Sequence, residues 1–272
     1  MLKVSVIIST YNKSNFLEKV LWGYSKQTYS NFEVIIADDG SSEEHQKKNK
    51  SNLLFNNLEY QYVHHEDDGF RKCKILNQAI LQSKGDYLIF SDGDCIPNQD
   101  FVEKHVFLAE KGRFLSGGHV PLNKKNSSSI FKNDIINQQI FNKLFLIKKG
   151  EKVSKKFLKM IKNTFIASAL DRMTLTKPTF NGNNSSAWKK DVLLVNGFDE
   201  RMKYGGLDCE MGYRLNNLGI KGKQIRHQCS PLHLYHERPY KNDIDRKANR
   251  EIRSETIASK KIFTEHGIEK RQ

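Results

Sequence analysis

The chain has 272 residues, which is enough to bury a large core in one domain or in two small ones. Hydrophobic residues make up 38% of it, including 16 Phe and 10 Tyr, and this composition excludes an intrinsically disordered chain. The formal net charge of +14 favours polyanionic partners, namely nucleic acid, an anionic membrane surface or phosphorylated substrates.

The cysteines and the apolar runs bear on the cell compartment. The four cysteines lack CxxC spacing and disulfide-scaffold density, which favours reduced thiols in the cytosol. No apolar run approaches the roughly 18 residues of a membrane-spanning helix, and the run at 4–8 is too short for a signal-peptide core. We therefore expect a cytoplasmic protein. The lysines crowded into 141–162 form either a solvated face or an attachment to the inner face of the cell membrane.

The first half of the chain alternates strand-like and helix-like segments. Runs of buried-strand character are separated by segments with apolar residues at helical spacing, which is typical of βα units in a parallel sheet. The predicted strands are 3–9, 32–37, 59–63 and 86–90, and the predicted helices are 16–24, 41–50, 71–83 and 99–111.

Polar residues follow each of these predicted strands. Ligands of such sheets gather outside the carboxyl ends of the strands, so four polar clusters at four strand ends predict one site. The clusters are 10–12, 38–39, 65–71 and 92–94.

The sequence Ser91-Asp92-Gly93-Asp94 carries two carboxylates separated by a glycine at one of these strand ends. The glycine allows the backbone to bend, so both carboxylates can converge on one ligand. Hard oxygen ligands suit Mg²⁺ or Mn²⁺, which in turn bind phosphate oxygens. The sequence therefore predicts a divalent-metal site that holds a phosphate group.

Beyond residue 112 the pattern is less regular. A long segment with apolar residues and a basic face predicts a helix pair packed on the core, or an amphipathic element on a membrane surface. The predicted helices of this half are 130–166, 190–195, 207–218 and the charged tail 241–272, the predicted strand is 113–120, and the predicted polar loops are 123–129 and 180–187.

Several segments, taken in order, resemble the family 2 glycosyltransferases with a GT-A fold. Residues 4–12, Asp38-Asp39-Gly40-Ser41 and Ser91-Asp92-Gly93-Asp94 resemble the first half of that family. Residues 196–200 and Tyr204-Gly205-Gly206-Leu207-Asp208 are similar to its second half, where galactosyltransferases carry Trp-Gly-Gly-Glu-Asp/Asn. Residues 65–71 and 234–237 particularly resemble bacterial chondroitin-polymerase-like enzymes.

The resemblance implies a Rossmann-like, mostly parallel sheet flanked by helices. It divides the chain into a nucleotide-sugar-binding half at 1–112, an acceptor-binding and catalytic half at 113–240, and a basic helical tail at 241–272. The implied activity is an inverting, metal-dependent transfer from a UDP-sugar to a hydroxyl of a glycan or lipid-linked glycan, with Mn²⁺ or Mg²⁺ as cofactor. Synthesis of bacterial surface polysaccharide or lipopolysaccharide is the implied setting.

The resemblance also implies contacts to the nucleotide. Thr10 and Tyr11 would border the uracil and ribose, with Asn12 beside them. Asp39 would accept a hydrogen bond from the base or ribose.

Cations and carboxylates would then meet the diphosphate and the metal. Arg71 and Lys74, in the first turn of a predicted helix, would contact the diphosphate or help to hold the base. Asp92 would face the ribose or a metal-bound water, and Asp94 would bind the metal directly.

The last protein ligand of the metal is usually a late histidine in this family. His236 is the favoured candidate by the similarity of the Tyr-His-Glu ending, and His233 is the alternative. His227 lies in the same stretch.

The acceptor side follows from the double glycine. Asp208 would be the general base that takes the proton of the acceptor hydroxyl. Gly206 would allow close approach of the sugar, and Glu210 would hold the acceptor or the base. Asn183 and Asn184 would line the donor-sugar pocket.

Two positions depart from the family pattern. Leu207 stands where the family has Glu, and Tyr204 where it has Trp, so the contacts to the sugar differ from the usual ones.

Three other functions compete with sugar transfer. A nucleotidyltransferase is disfavoured because 9–14 contains no glycine. A basic nucleic-acid-binding protein is disfavoured because no recognisable nucleic-acid module is present, so we expect no nucleic-acid partner. A non-catalytic sugar-binding relative is disfavoured by the retained aspartates.

Overall fold

The structure is a computed structural model that describes residues 1–55, 58–237 and 242–270. A seven-stranded mixed sheet forms its centre, with helices on both faces, and a three-stranded sheet lies beside it. The first half contains β1 (Val4–Thr10), α1 (Ser14–Tyr24), β2 (Phe32–Asp38), α2 (Glu43–Phe55), β3 (Tyr60–His64), α3 (Lys72–Gln82), β4 (Tyr87–Asp92), β5 (Cys95–Ile96) and α4 (Phe101–Leu108).

The second half contains more short elements. They are β6 (Arg113–Ser116), β7 (Val120–Pro121), α5 (Lys124–Ser129), α6 (Lys132–Ile136), a 3₁₀ turn (Gln139–Phe141), α7 (Lys143–Lys148), a 3₁₀ helix (Lys155–Met160), α8 (Thr164–Met173), β8 (Ser185–Trp188), α9 (Lys189–Leu194), α10 (Leu207–Asn217), β9 (Lys221–Gln224), β10 (Leu232–His233) and α11 (Asp243–Ala258). Within the described part of the chain, every helix is too short or too polar to cross a lipid bilayer.

The central strands confirm the predicted α/β fold class. β1 pairs in parallel with β2 and β4, with Ile7 opposite Ile35 on one side and Phe90 on the other. All seven residues of β1 are buried, as expected for a strand covered by helices on both faces. Val6 and Ile8 face one apolar core, and Ile7 faces the other.

Two predicted polar loops contain regular structure instead. The loop predicted at 180–187 is wrong at its end, because Ser185–Trp188 forms β8, antiparallel to β4 and β6. Ser186 tolerates this buried position because its hydroxyl is hydrogen-bonded to Tyr87 and His105. The loop predicted at 123–129 is also wrong, because the Asn123 side chain accepts from the Asn126 N–H and caps α5.

The helix pair predicted at 130–166 is divided into short helices and 3₁₀ turns. Asn142 and Asn163 start new helices because their side chains accept backbone N–H bonds there. Gln138 and Gly150 adopt positive φ, which ends the preceding turns. The apolar spacing continued through these breaks, so it did not reveal them. The single tail helix predicted at 241–272 is likewise wrong in extent, because the helix ends at Ala258.

The three-stranded sheet has the order β5-β10-β7 and connects the two halves of the chain. Cys95 pairs with His233, and Ile96 pairs with Leu232, in antiparallel register. On the other side, His233 pairs with Pro121 in parallel register. This sheet therefore places residues near 95 directly against residues near 233.

Asn184 lies inside the fold, not in the donor-sugar pocket that the resemblance implied for it. It is fully buried, and its amide donates to the carbonyls of Gly118 and Cys229, each at 2.7 Å. Its Oδ1 lies 3.0 Å from Nε2 of buried His105. Asn184 thus satisfies buried polar groups and supports the neighbouring loop.

Burial lowers the pKa of His105 from 6.5 to about 4, with the Asn184 hydrogen bond opposing the shift. The unfolded chain takes up this proton near pH 6.5 and the folded chain only near pH 4, so acidification between these values favours unfolding. We expect His105 to contribute a loss of up to about 1.4 kcal/mol in unfolding free energy per pH unit in this window. Chemical denaturation at several pH values measures the slope. His105→Gln should give a shallower slope, and an equal slope would contradict the assignment.

Candidate active site

A cleft of about 720 Å³ opens at the carboxyl ends of β1, β2 and β4. The predicted site residues that line it are Thr10, Tyr11, Asn12, Asp39, Asp92, Asp94, Asn183, Gly206, Asp208, His233 and His236. The predicted site residues outside its lining are Arg71, Lys74, Asn184 and Glu210.

Asp92 ends β4 and is held by two side chains. Its Oδ1 accepts from Ser9 Oγ at 2.7 Å and from Lys72 Nζ at 2.6 Å. Gly93 follows, where an added Cβ would lie 3.1 Å from the Ser9 carbonyl oxygen, so a side chain would fit there only if its neighbours moved. The chain therefore passes tightly over β1 and continues directly to Asp94.

Lys72 is a cleft residue that the motifs did not reveal. Burial would lower the pKa of Lys72, but the charges of Asp92 and Asp208 outweigh burial and raise it. The predicted cations lie elsewhere. Arg71 pairs with Asp68 at 2.8 Å, and the Lys74 side chain is exposed outside the cleft. The helix begins at Lys72, so a difference of one or two positions along its first turn decides which cation faces the carboxylates.

Asp39 and its neighbour Asp38 point to different surroundings. Asp39 accepts from the Arg71 backbone N–H at 3.1 Å and lies 2.9 Å from His65 Nε2. Burial raises the pKa of Asp39, and the hydrogen bonds from His65 and Arg71 oppose this shift. Asp38 is fully buried and accepts from Tyr62 and the Ser41 N–H. Asp39 is thus the carboxylate of this pair that reaches the cleft.

The residues that follow β1 line another part of the cleft. Tyr11 donates to Asp67 at 2.8 Å, and Asn12 Oδ1 accepts from the Ser42 N–H at 2.9 Å. These contacts connect the loop after β1 to the loops after β3 and β2 respectively. Thr10 Oγ1 is buried at the cleft and has no hydrogen-bond partner among the described residues. A buried hydroxyl of this kind is suited to a bound ligand.

Asp94 lies against two histidines. His236 Nε2 is 2.8 Å from Asp94 Oδ2, and His233 Nε2 is 3.6 Å from Asp94 Oδ1. Burial would raise the pKa of Asp94, but the His236 hydrogen bond and the charges of both histidines hold it well below its ordinary value. One carboxylate with two imidazoles is a donor set that suits Mn²⁺ and related divalent ions.

Two further candidates for this cluster are less suitable. Cys95 Sγ lies 3.5 Å from Asp94 Oδ1, but burial raises the pKa of this thiol well above its ordinary value, which disfavours the thiolate. Its side chain also lies outside the cleft lining. His227 is held 2.8 Å from Asp171 Oδ1, away from Asp94. The structure therefore brings His233 and His236, not His227, to the carboxylate.

Asp208 lies in the first turn of α10, immediately after the double glycine. Its Oδ2 accepts from the Gly182 N–H at 2.7 Å, and its Oδ1 accepts from the Cys209 N–H at 2.9 Å. Gly206 has φ of +79°, and an added Cβ would lie 2.7 Å from Arg253 Nη1. The turn therefore requires glycine, and it fixes the Asp208 carboxylate at the cleft.

Residues near Asp208 complete the lining of the cleft. Asn183 lines the cleft, as predicted, and its amide lies 3.1 Å from His119 Nδ1. Tyr204 packs edge-on against Phe70 with ring centroids 6.1 Å apart, so an aromatic wall stands where the family has Trp. Leu207 is 6% exposed and packs in the core.

Glu210 is a structural residue in this fold and does not line the cleft. Its carboxylate accepts from Arg214 Nη2 at 2.8 Å and from Thr256 Oγ1 at 2.9 Å. The Glu210 and Arg214 side chains are 1% and 0% exposed. The role implied for Glu210, to hold the acceptor or the base, is corrected because Glu210 follows Asp208 by two positions in the first turn of α10, and its side chain therefore points into the protein.

We expect Glu210→Gln to destabilise the fold and to leave the acceptor KM of the remaining folded enzyme unchanged. It leaves the Arg214 charge buried without its counter-ion, which costs about 3–5 kcal/mol of unfolding free energy. Chemical denaturation measures the loss, with exposed Glu44→Gln as the matched control. A raised acceptor KM at unchanged stability would contradict this assignment.

The chain shares this architecture with solved glycosyltransferases. Mannosyltransferase PcManGT from Pyrobaculum calidifontis, in complex with GDP-Man and Mn²⁺, matches with a TM-score of 0.59 and 17% identity, covering 95% of this chain and 63% of that one. Residues 1–349 of S. aureus TarS, in complex with UDP-GlcNAc, match with a TM-score of 0.61 and 17% identity, covering 95% and 69%. The fold is therefore that of the GT-A glycosyltransferases, as predicted.

Sequence similarity defines the family. The profile of Glycosyl transferase family 2 matches residues 5–171, and the chain belongs to that family. A chondroitin synthase of Escherichia coli is 26% identical over 277 residues, which cover 94% of this chain and 38% of the synthase. The chain spans 27–38% of the length of the first curated synthases that it matches. The resemblance stated from the motifs is thereby confirmed.

Proposed function

We propose that this chain transfers a sugar from a UDP-sugar to a hydroxyl of a glycan, with inversion at the anomeric carbon. One observation carries the proposal: the Asp94–His233–His236 cluster and Asp208 line the same cleft. The structural relatives bound to UDP-GlcNAc and GDP-Man support a nucleotide-sugar donor. The Mn²⁺ bound by PcManGT supports a divalent metal.

Asp94, His236 and His233 are the residues that would hold the metal, Mn²⁺ or Mg²⁺. A divalent cation bound there supplies positive charge to the departing diphosphate. Lys72 adds a fixed ammonium beside Asp92, in place of the predicted Arg71 and Lys74. The carboxylates around Lys72 repel a phosphate group. The ammonium of Lys72 offsets this repulsion and therefore stabilises the bound diphosphate.

The nucleotide would occupy the β1 and β2 end of the cleft. Thr10 offers a buried hydroxyl, and Asp39 offers a carboxylate held by His65 and Arg71. Tyr11, which is 45% exposed, provides an aromatic surface beside them for the uracil or ribose. Asn12 fixes the loop that carries these groups.

Asp208 would act as general base. The acceptor hydroxyl oxygen forms a bond to the anomeric carbon, the bond from that carbon to the diphosphate oxygen breaks, and the hydroxyl proton passes to Asp208. Attack from the side opposite the diphosphate inverts the anomeric configuration. Backbone N–H bonds from Gly182 and Cys209 hold the carboxylate in place without neutralising it.

We also propose a separate role for each of three segments of the chain. Residues 1–112 would bind the donor, 113–240 would bind the acceptor and supply the base, and the tail from 241 would support α10. Asn249 of α11 donates to the Gly205 carbonyl at 3.0 Å, which supports the last role. An acceptor of bacterial surface polysaccharide, free or lipid-linked, is the setting that we propose.

We also propose that the chain attaches to the inner face of the membrane through an apolar surface of α8 and the neighbouring lysines. Phe165 and Ile166 of α8 are 83% and 48% exposed, close in sequence to the lysines of 141–162. Exposed apolar side chains next to lysines are typical of helices that bind anionic membrane surfaces.

Asp208→Asn should lower transfer by about 10²- to 10⁴-fold because the amide cannot accept the hydroxyl proton. UDP affinity in the presence of Mn²⁺ should change less than about twofold, since the side chain keeps its size. Initial rates with a panel of UDP- and GDP-sugars and calorimetry with UDP measure the two effects. Exposed Asp86→Asn is the matched control. Undiminished turnover in Asp208→Asn would remove the base assignment.

His236→Ala should weaken Mn²⁺ binding by about tenfold or more, because one imidazole of the cluster is lost. Titration of the UDP-bound protein with Mn²⁺, followed by electron paramagnetic resonance, reports the affinity without requiring turnover. Exposed His266→Ala is the control and should bind Mn²⁺ as the unaltered chain does. Robust donor hydrolysis in the presence of a chelator would refute the metal dependence.

A further inference from the structure

A second, smaller groove of about 380 Å³ lies outside the active-site cleft. Basic residues dominate its lining, together with Pro121, Leu158 and Thr174. The cationic or titratable residues of the lining are Lys155, Lys156, Lys159, Arg226 and His227. Among the described residues, no carboxylate lines this groove.

The nearby carboxylates are already engaged. Glu151 pairs with Lys156, and Asp171 pairs with His227 at 2.8 Å. Lys159 Nζ donates to the His119 carbonyl oxygen at 2.8 Å, and no carboxylate of residues 1–55, 58–237 or 242–270 forms a salt bridge with it.

Arg226 has no carboxylate within salt-bridge distance in the part of the chain that the structure describes. Burial and then the charge of Arg226 lower the pKa of Lys159, so these two cations repel one another across the groove. Two half-buried cations held together, with no counter-ion from the described residues, attract an anion to the groove.

The groove shares a wall with the active-site cleft. Pro121 of the groove is the strand partner of His233, and paired strands lie about 4.8 Å apart. His119, which accepts from Lys159, packs against the His233 ring with centroids 5.0 Å apart. Its Nδ1 also lies 3.1 Å from Asn183 in the cleft lining. A chain of direct contacts thus joins the two sites on the side of the second half.

We propose that this groove binds a negatively charged group of the acceptor, so that the acceptor is an anionic glycan bearing carboxylate or phosphate groups. This inference rests on the proposed sugar transfer. The donor diphosphate is assigned to the metal cluster and Lys72, so it does not account for a second cationic site. Arg226 has the planar guanidinium that binds either anion with two parallel hydrogen bonds, and Lys159 adds a point charge.

The groove is tested by direct binding to defined oligosaccharides. The probes are a uronate-containing hexasaccharide, its carboxyl-reduced neutral form, and a glycerol-phosphate oligomer of similar length. Binding is measured at fixed low salt for the unaltered chain, Arg226→Ala and the control Lys47→Ala. Lys47 lies on α2, and its side chain is 82% exposed. Thermal unfolding confirms that each variant is folded, and Mn²⁺-dependent hydrolysis of UDP-sugar is recorded for each.

At least one anionic probe should bind the unaltered chain about tenfold more tightly than the neutral probe, and Arg226→Ala should remove that difference. Preference for the uronate or for the phosphate oligomer identifies the anion. Lys47→Ala should bind as the unaltered chain does, and donor hydrolysis should be equal in all three proteins. If none of the three proteins hydrolyses the UDP-sugar, the proposed transfer is refuted. The binding data would still show whether the groove binds an anion.

Three results would overturn the groove assignment. The first is equal affinity of the unaltered chain for neutral and anionic probes. The second is equal loss of anionic binding in Arg226→Ala and Lys47→Ala, which would show only the general charge of the protein. The third is that Arg226→Ala loses binding to vesicles of anionic lipid but keeps its affinity for the oligosaccharides, which would make the groove a membrane contact.

Discussion

The pairing of two very short strands, β5 and β10, is the constraint on which the candidate site depends. Cys95 lies opposite His233, and the Leu234 N–H donates to the Asp94 carbonyl oxygen at 2.8 Å. A shift of one residue in this register would turn His233 to the other face of the sheet. Fully buried Ile96 and Leu232 oppose such a shift, because it would expose apolar surface. The core therefore determines which late side chains meet Asp94.

Charge balance is the second requirement of the cleft. Asp92, Asp94 and Asp208 lie in one cavity, and like charges in a partly buried site repel one another strongly. The fold compensates each one differently. Asp92 has the Lys72 ammonium in direct contact, Asp94 has two imidazoles, and Asp208 accepts two backbone N–H bonds and acts on Lys72 only through its charge. Of the three, Asp208 is the carboxylate whose hydrogen bonds among the described residues come from backbone N–H groups, which supports its proposed role as base.

The sequence predicted what depends on local pattern and missed what depends on burial. The strands around Ile7, Ile35 and Ile89 were predictable because continuous apolar runs between turns have few alternatives in a parallel sheet. Asn184 and Glu210 were misassigned because a polar residue near a motif looks the same in sequence whether it faces a ligand or a buried partner. Ser186 was read as a loop residue for the same reason. Lys72 was missed because helix starts are uncertain by a residue or two, and that is enough to exchange one cation for another.

The small sheet also relates the two charged sites to each other. His233 has Cys95 as its strand partner on one side and Pro121 on the other, so the metal cluster and the basic groove lie on opposite sides of one strand. The proposed sites for the donor diphosphate and for an acceptor anion therefore lie at a fixed separation, since one hydrogen-bonded ladder connects them. This arrangement would hold two anionic substrates at a set distance, with their mutual repulsion screened by separate groups of cations. For the proposed transfer of a sugar from a nucleotide diphosphate to an anionic acceptor, such separation would favour the approach of the acceptor hydroxyl while both charges remain compensated.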